Sequence, residues 1–315
     1  MIIVEYPVAL VLKLWHVLFT KVFGIAPSVA WIVAVIFLVL TVRSLLAPLT
    51  LRQIRSSRNL SNLRPQLYQL SQEYVGRTDA ESRKELNQRR KKMQLEGGYR
   101  MRDGCLPALI QIPVFVGLYR MLLRVARPNG VVDPDNLQGF GPLSDQDVYT
   151  FMHARIFGVP LITYVQMPAQ SLANLGTDQA SVFRVALPMV LLASTFTATN
   201  LFFSIRRTKA TMDPDQGFSY FALGLLKVML PIVFFMPILF GLLGPLPVMV
   251  FVYWLTNNLC TLTITQGIHV WSDKTHPYTE EFHAHNELQR QRRMEKKEEK
   301  RVAKRQKRRT GRHRR

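Results

Sequence analysis

Five apolar stretches constrain this chain more than any other feature: roughly Val29 to Leu49, Cys105 to Leu123, Val185 to Ile205, Val228 to Gly244 and Pro247 to Gln266. A bilayer with a hydrocarbon core of about 30 Å demands helices of about 20 apolar residues, and soluble chains rarely carry several. A closed barrel would instead show many alternating strands of about ten residues, and none is evident. Helices must then satisfy the backbone inside lipid. The expected fold class is an all-α polytopic membrane protein with five transmembrane helices. The last two stretches are joined by "LLGPLPVMV", whose Gly-Pro-Leu-Pro link predicts a helical hairpin.

Charge gives the orientation. Of 315 residues 48% are hydrophobic, yet 41 Lys+Arg against 21 Asp+Glu leave a net charge of +20, in blocks that alternate with the apolar stretches. Residues 50–102 carry 13 Lys+Arg and 5 Asp+Glu, whereas residues 125–181 carry Arg127 and Arg155 against Asp133, Asp135, Asp145, Asp147 and Asp178. The basic loop is therefore cytoplasmic and the acidic one outside. The tail from His269, with 16 Lys+Arg, falls inside, and the N-terminus falls outside.

The first residues, "MIIVEYPVALVLKLWHVLFTKVFGIAP", are apolar but interrupted by Glu5, Lys13, His16 and Lys21. Pro7 is expected to prevent a continuous helix from the start. The interleaved charges and Trp15 favour an amphipathic helix in the outer interface over a spanning or cleaved segment. In the basic loop, Leu60, Leu63, Leu67, Leu70 and Tyr74 mark one helical face, with Gly76 as a stop. Thr78 and Glu81 have capping-box spacing for a second helix that ends at Gly97-Gly98. The result is a helical hairpin, which either takes part in function or merely enforces topology.

The polar residues within the spans carry most of the functional signal. The third span contains "LLASTFTATNLFF" and the fifth "VYWLTNNLCTLTITQ". Small hydroxyls accord with helix packing, but two adjacent amides, Asn257 and Asn258, must face different directions. Arg43 stands in the first span, on the order of 20 Å from its outer edge and about 10 Å from its inner one. Either it snorkels to the inner headgroups or it lines a wet cavity. The spans contain no Asp or Glu, which argues against a proton-coupled carrier. No phosphate-binding loop, metalloprotease motif or catalytic triad is present, so an enzyme is not expected. Cys105 and Cys260 lie within apolar spans and are assigned to packing. His283 and His285 are expected to be solvated rather than metal ligands, and no metal or cofactor is called for.

The series "TVRSLLAPLTLRQIRSSRNLSNLRPQL", "GCLPALIQIPVFVGLYRML" and "VYWLTNNL" with a distal Gln266 resembles the YidC/Oxa/Alb membrane protein insertases in their five-span Gram-positive form. Two departures are visible: Val39 stands where the family often has a polar residue, with Thr41 near it, and Arg100-Met101 replaces an Asn-Pro. The resemblance implies an insertase and chaperone in a bacterial plasma membrane, with a hydrophilic groove open to cytoplasm and lipid. It places Arg43 in that groove and Tyr253 and Trp254 against substrates. The groove candidates are Arg43, Thr41, Gln111, Thr197, Asn200, Tyr253, Trp254, Asn257 and Asn258. The implied partners are nascent membrane proteins, the ribosome and the Sec translocon.

The expected organisation is thus an interfacial segment at 1–27, a core at 28–268 holding the hairpin 50–102 and the outer loop 125–181, and a basic tail at 269–315. The tail, "RQRRMEKKEEKRVAKRQKRRTGRHRR", reads as disordered or loosely helical and solvated. Arg292, Arg293, Lys304, Arg305, Lys307, Arg308 and Arg309 suit ribosomal RNA or anionic lipid. The alternative function is a channel or carrier for a small anionic solute, with Arg43 as its selectivity charge.

Overall fold

The computed structural model describes residues 2–100, 102–126, 139, 141–213 and 217–312. Met101, Arg127, Asp133 and Asp135 lie outside them, as does the side chain of Cys105. In chain order the elements are α1 (Ile2–Val17), a π-helical turn (Leu18–Val22), α2 (Pro27–Asn62), α3 (Arg64–Glu73), α4 (Ala80–Glu96) and α5 (Arg102–Ala126). Then come α6 (Asp145–Met152), the two-residue strands β1 (Arg155–Ile156) and β2 (Val159–Pro160), α7 (Ala169–Asn174), α8 (Gln179–Thr211), α9 (Gly217–Leu243), α10 (Val248–Thr275) and α11 (Glu280–Arg312). The fold is that of an all-α polytopic membrane protein, β1 and β2 being a minor antiparallel exception.

Among the described residues four helices, α2, α8, α9 and α10, are long and apolar enough to cross a membrane, and the fifth expected span is α5, apolar from Leu109 to Met121. The Gly-Pro-Leu-Pro link does join two helices, α9 and α10. The first span runs further than expected. α2 has 36 residues, about 54 Å at 1.5 Å per residue, so residues 50–62 continue the same helix past the expected end of the span. The break comes at Leu63, because Pro65 occupies the first turn of α3, where it is tolerated, and would disrupt the interior of a longer helix.

The chain divides into two units, one of residues 1–51, 105–202 and 229–268, the other of residues 52–104, 203–228 and 269–315. In the first, Leu12, Trp31, Leu38, Leu118, Met121, Leu161, Met249 and Phe251 are fully buried. Close approach is achieved at Gly241, where an added Cβ would stand 2.9 Å from the Phe251 ring and 3.1 Å from Val190 Cγ2. Lipid offers no hydrophobic drive between helices, so such small-residue contacts are what hold them. On the open side of α9, Phe235, Leu239, Phe240 and Leu243 are exposed, as lipid contact requires.

The α1 helix corrects one expectation. It is continuous from Ile2 with Pro7 inside it; the proline costs its own backbone bond and crowds only the short stretch of helix before it. Its charges face inward. Glu5 is fully buried and accepts a hydrogen bond from Arg120 Nε at 2.8 Å. Lys13 donates to the Pro142 carbonyl at 2.6 Å and pairs with Asp147 at 2.9 Å. His16 stacks on Trp31 at 3.8 Å. The exposed face is Tyr6, Leu10 and Leu14. A full capping box between Ser144 and Asp147 starts α6, and the first free N–H groups of α10, on Val248 and Met249, bond the Thr163 and Leu161 carbonyls at 2.8 and 2.9 Å.

In the second unit α3 and α4 form the expected hairpin. Arg89 of α4 pairs with Glu85 at 2.8 Å and reaches over the Tyr74 ring. Of the predicted apolar face, Leu70 and Tyr74 are buried and Leu60, Leu63 and Leu67 half-buried. The cap is one residue later than Thr78: Asp79 accepts the Ser82 N–H at 2.7 Å, and a carboxylate so placed also favours the helix dipole. Gly97 ends α4, and Gly98 has φ +78°.

The tail is helical, one of the two expected states, but the first turns of this helix, α11, are docked rather than solvated. Phe282 is 1% exposed. Asn286 Nδ2 donates to the Ala210 carbonyl at 3.0 Å, Arg290 to those of Lys209 and Ala210 at 3.2 and 3.0 Å, and Arg64 of α3 to that of Thr211. These are the carbonyls that a helix end leaves without partners. The C-terminus of α8 is therefore capped by cationic and amide side chains, whose charges also suit the negative end of its dipole.

Candidate functional site

Arg43 of α2 is half-buried, and Asn257 of α10 is its partner. Both Nε and Nη2 donate to the one amide oxygen, at 2.9 and 2.7 Å. A carboxylate would cancel the charge. An amide orients the guanidinium and leaves it cationic, with Nη1 still free to donate. Among the described residues no acidic group pairs with Arg43. Tyr253 and Cys260, one turn to either side of Asn257, lie within its electrostatic range.

The same face of α10 reaches α5. Gln111 Nε2 donates to the Tyr253 hydroxyl at 2.7 Å, and Phe115 packs its ring 5.8 Å from that of Tyr253. Tyr253 is 2% exposed. The second Gln111 amide atom, Oε1, is buried without a hydrogen bond. Arg43, Asn257, Tyr253 and Gln111 thus join three helices in one polar seam, because Tyr253 and Asn257 are four apart and share a helix face.

Asn258 points elsewhere, as two adjacent amides must. Its Nδ2 donates to the Ala193 carbonyl of α8 at 3.2 Å, which also accepts the Thr197 hydroxyl at 2.9 Å. Two turns on, Gln266 Nε2 donates to Asn200 Oδ1 at 3.3 Å. Thr197, Asn200, Asn258 and Gln266 therefore form a second polar line, between α8 and α10. Ser194 is fully buried beside it with no hydrogen bond at its hydroxyl.

Two candidates stand apart from both lines. Thr41 donates to the Phe37 carbonyl at 2.7 Å and accepts from Trp15 Nε1 at 3.0 Å, so its hydroxyl serves the contact with α1. Being two residues from Arg43 on a helix, it faces nearly the opposite way. Trp254 is half-buried, 6.4 Å from the Phe251 ring, and belongs to the apolar packing.

Other residues were not singled out in the sequence. Arg120 sits in a span and pairs with Glu5 from α1, so an arginine–carboxylate pair exists although the acid lies in no span. In the second unit, Arg58 is 3% exposed and donates to Asp273 at 2.5 Å and to the His276 and His269 carbonyls at 3.1 and 3.3 Å. Its position within a basic loop gave no signal of burial.

Of the tail candidates, Arg292 donates to the Tyr68 hydroxyl at 3.1 Å and Arg293 lies 3.4 Å over the Tyr220 ring. Both contribute to docking α11. The side chains of Lys304, Arg305, Lys307, Arg308 and Arg309 lie outside the described ones. His285 is half-buried against the Tyr68 ring at 5.1 Å rather than solvated, and burial holds its pKa below the ordinary histidine value, with Arg64 and Arg292 adding to the effect and Asp213 opposing it.

Residues 22–275 match the family model described as 60Kd inner membrane protein. The chain belongs to the YidC/Oxa family. Its relatives include the membrane protein insertase YidC of Corynebacterium efficiens, 38% identical over 288 residues, covering 90% of this chain and 72% of the relative. The Corynebacterium glutamicum protein of the same name is also 38% identical, over 91% of this chain and 68% of the relative, and that of Mycobacterium tuberculosis is 32% identical, over 82% and 69%. The YidC/Oxa match encloses every seam residue from Arg43 to Gln266, whereas α1 and α11 fall outside it.

Proposed function

We propose that this chain is a membrane protein insertase and chaperone that inserts, folds and helps assemble integral membrane proteins through a hydrophilic groove in the cytoplasmic half of the bilayer. Arg43 held by the Asn257 amide carries the reading: a cation kept charged inside a span, in a chain whose relatives bear the insertase name. A substrate helix gains free energy on entering lipid, roughly 0.3 to 0.6 kcal/mol per Leu, Ile or Phe, so its equilibrium needs no help. The barrier is the polar tail, whose amides and charges would cross hydrocarbon unsatisfied. A wet seam shortens that dry path, and Arg43 attracts acidic residues in the tail. No covalent bond changes, and no nucleotide is needed from this chain.

The Lys/Arg asymmetry of the loops supports an N-terminus outside and a C-terminus in the cytoplasm of a bacterium. Nascent membrane proteins are the substrates, and the Sec translocon, the ribosome and anionic lipids are the proposed partners. The test measures insertion of several Sec-independent substrates with acidic tails. Arg43→Glu is expected to lower it roughly tenfold, about 1.4 kcal/mol, Arg43→Ala less, and Arg43→Lys least. Full insertion by both Arg43→Ala and Arg43→Glu overturns the role of the charge. A photocrosslinker at position 254, which is half-buried, that never captures a stalled nascent chain, with saturable anion flux instead, would favour a carrier.

A further inference from the structure

The β1–β2 hairpin places one side chain that the groove does not use. Phe157 at its tip is 86% exposed, and its φ of +49° is the only positive φ at a non-glycine among the described residues. A bulky residue in this conformation is an outlier that persists where its surroundings over-determine it. Arg155 holds the turn, donating to the Gly158 carbonyl at 2.9 Å and to the Leu175 carbonyl at 2.7 Å.

The depth of this tip follows from backbone bonds alone. Leu161 accepts from the Met249 N–H at 2.9 Å and so stands level with the first turn of α10, where an apolar span begins. Leu161 also pairs with Ala154 at 2.9 Å, and the hairpin extends only two residue pairs beyond them, Arg155 with Pro160 and Ile156 with Val159. At about 3.4 Å per residue the tip lies no more than about 10 Å above or below that boundary, whichever way the hairpin points. The headgroup layer on one side of a bilayer is about 5 to 8 Å thick. Leu175, the other tether, lies four residues before the start of the α8 span.

We infer that Phe157 is a membrane anchor, a stiffly presented aromatic seated at the headgroup–acyl boundary of the leaflet in which α8 and α10 begin. Water is a poor environment for an exposed phenyl ring, and the boundary is the nearest apolar medium. The test uses the full chain in lipid nanodiscs with Phe157→Trp, comparing its emission with that of the parent. The extra emission is expected to be blue-shifted, largely lost with lipids brominated high on the acyl chain, and insensitive to iodide. Extra emission quenched by iodide and not by bromolipid puts the tip in water and overturns the proposal. Protection from both quenchers assigns it to a protein contact and overturns it equally. Independently, Phe157→Asn, which tolerates the same backbone, should lose the lipid-dependent protection of the 155–160 amides from hydrogen exchange; equal exchange in parent and variant overturns the anchor.

Discussion

At the scale of single residues, the charged groups of this chain are sorted by their partners. Arg43 meets an amide and keeps its charge, whereas Arg58 meets a carboxylate and two carbonyls and acts as a structural tie. His285 has a measurable consequence. Burial depresses its pKa in the folded protein, so below the ordinary histidine value the unfolded segment binds more protons than the docked one. Stability is then fully present above about pH 6.5 and is lost as pH falls through the depressed folded value. Hydrogen exchange across residues 280–295 should therefore quicken between about pH 7 and pH 5, after correction for intrinsic rates. His285→Phe should abolish that dependence while α11 stays docked. The sequence showed a histidine among charges, and only the approach of Tyr68 and α3 buries it.

At the scale of elements, the apolar stretches were legible because lipid permits few solutions, and helices of sufficient length appear where the hydropathy lies. Helix ends were less legible. α2 overran its expected end by a dozen or so residues, carrying Pro48 inside it, while the cap of α4 went to Asp79 because a carboxylate outcompetes a hydroxyl one residue earlier. Packing at the α9–α10 hairpin can be tested directly. Gly241→Leu should destabilise the chain by about 1 to 3 kcal/mol through overpacking against Phe251 and Val190. At Gly224 on the same helix an added Cβ meets nothing within 4 Å, so Gly224→Leu should be neutral or slightly stabilising. Thermal unfolding of both variants in nanodiscs would distinguish them, and equal midpoints would contradict the assigned contact.

At the scale of the whole molecule, the basic C-terminal region splits into a docked part and a distal part, which changes how a ribosome or anionic-lipid role is tested. Removing residues 273–315 would also remove Asp273, Phe282 and Asn286, and with them the ties to α2 and α8. Removing residues 304–315 leaves those ties and takes away Lys304, Arg305, Lys307, Arg308, Arg309, Arg312, Arg314 and Arg315. If the distal cations bind ribosomes, this shorter truncation should weaken co-sedimentation severalfold and flatten its salt dependence, since a chain that neutralises fewer phosphates releases fewer counterions. Unchanged binding would point to the hairpin instead.

Sequence alone determined the membrane class, the approximate spans, the α9–α10 hairpin and the divergence of Asn257 from Asn258, because bilayer thickness and helical periodicity act on local sequence. It also picked out most of the seam residues. Tertiary structure decided which polar groups meet: that Arg43 finds an amide, that Thr41 turns to Trp15, that Glu5 of α1 answers Arg120, and that a basic tail caps α8. These partners stand 26 to 214 residues apart in the chain and are chosen by helix packing, and no local pattern encodes that choice.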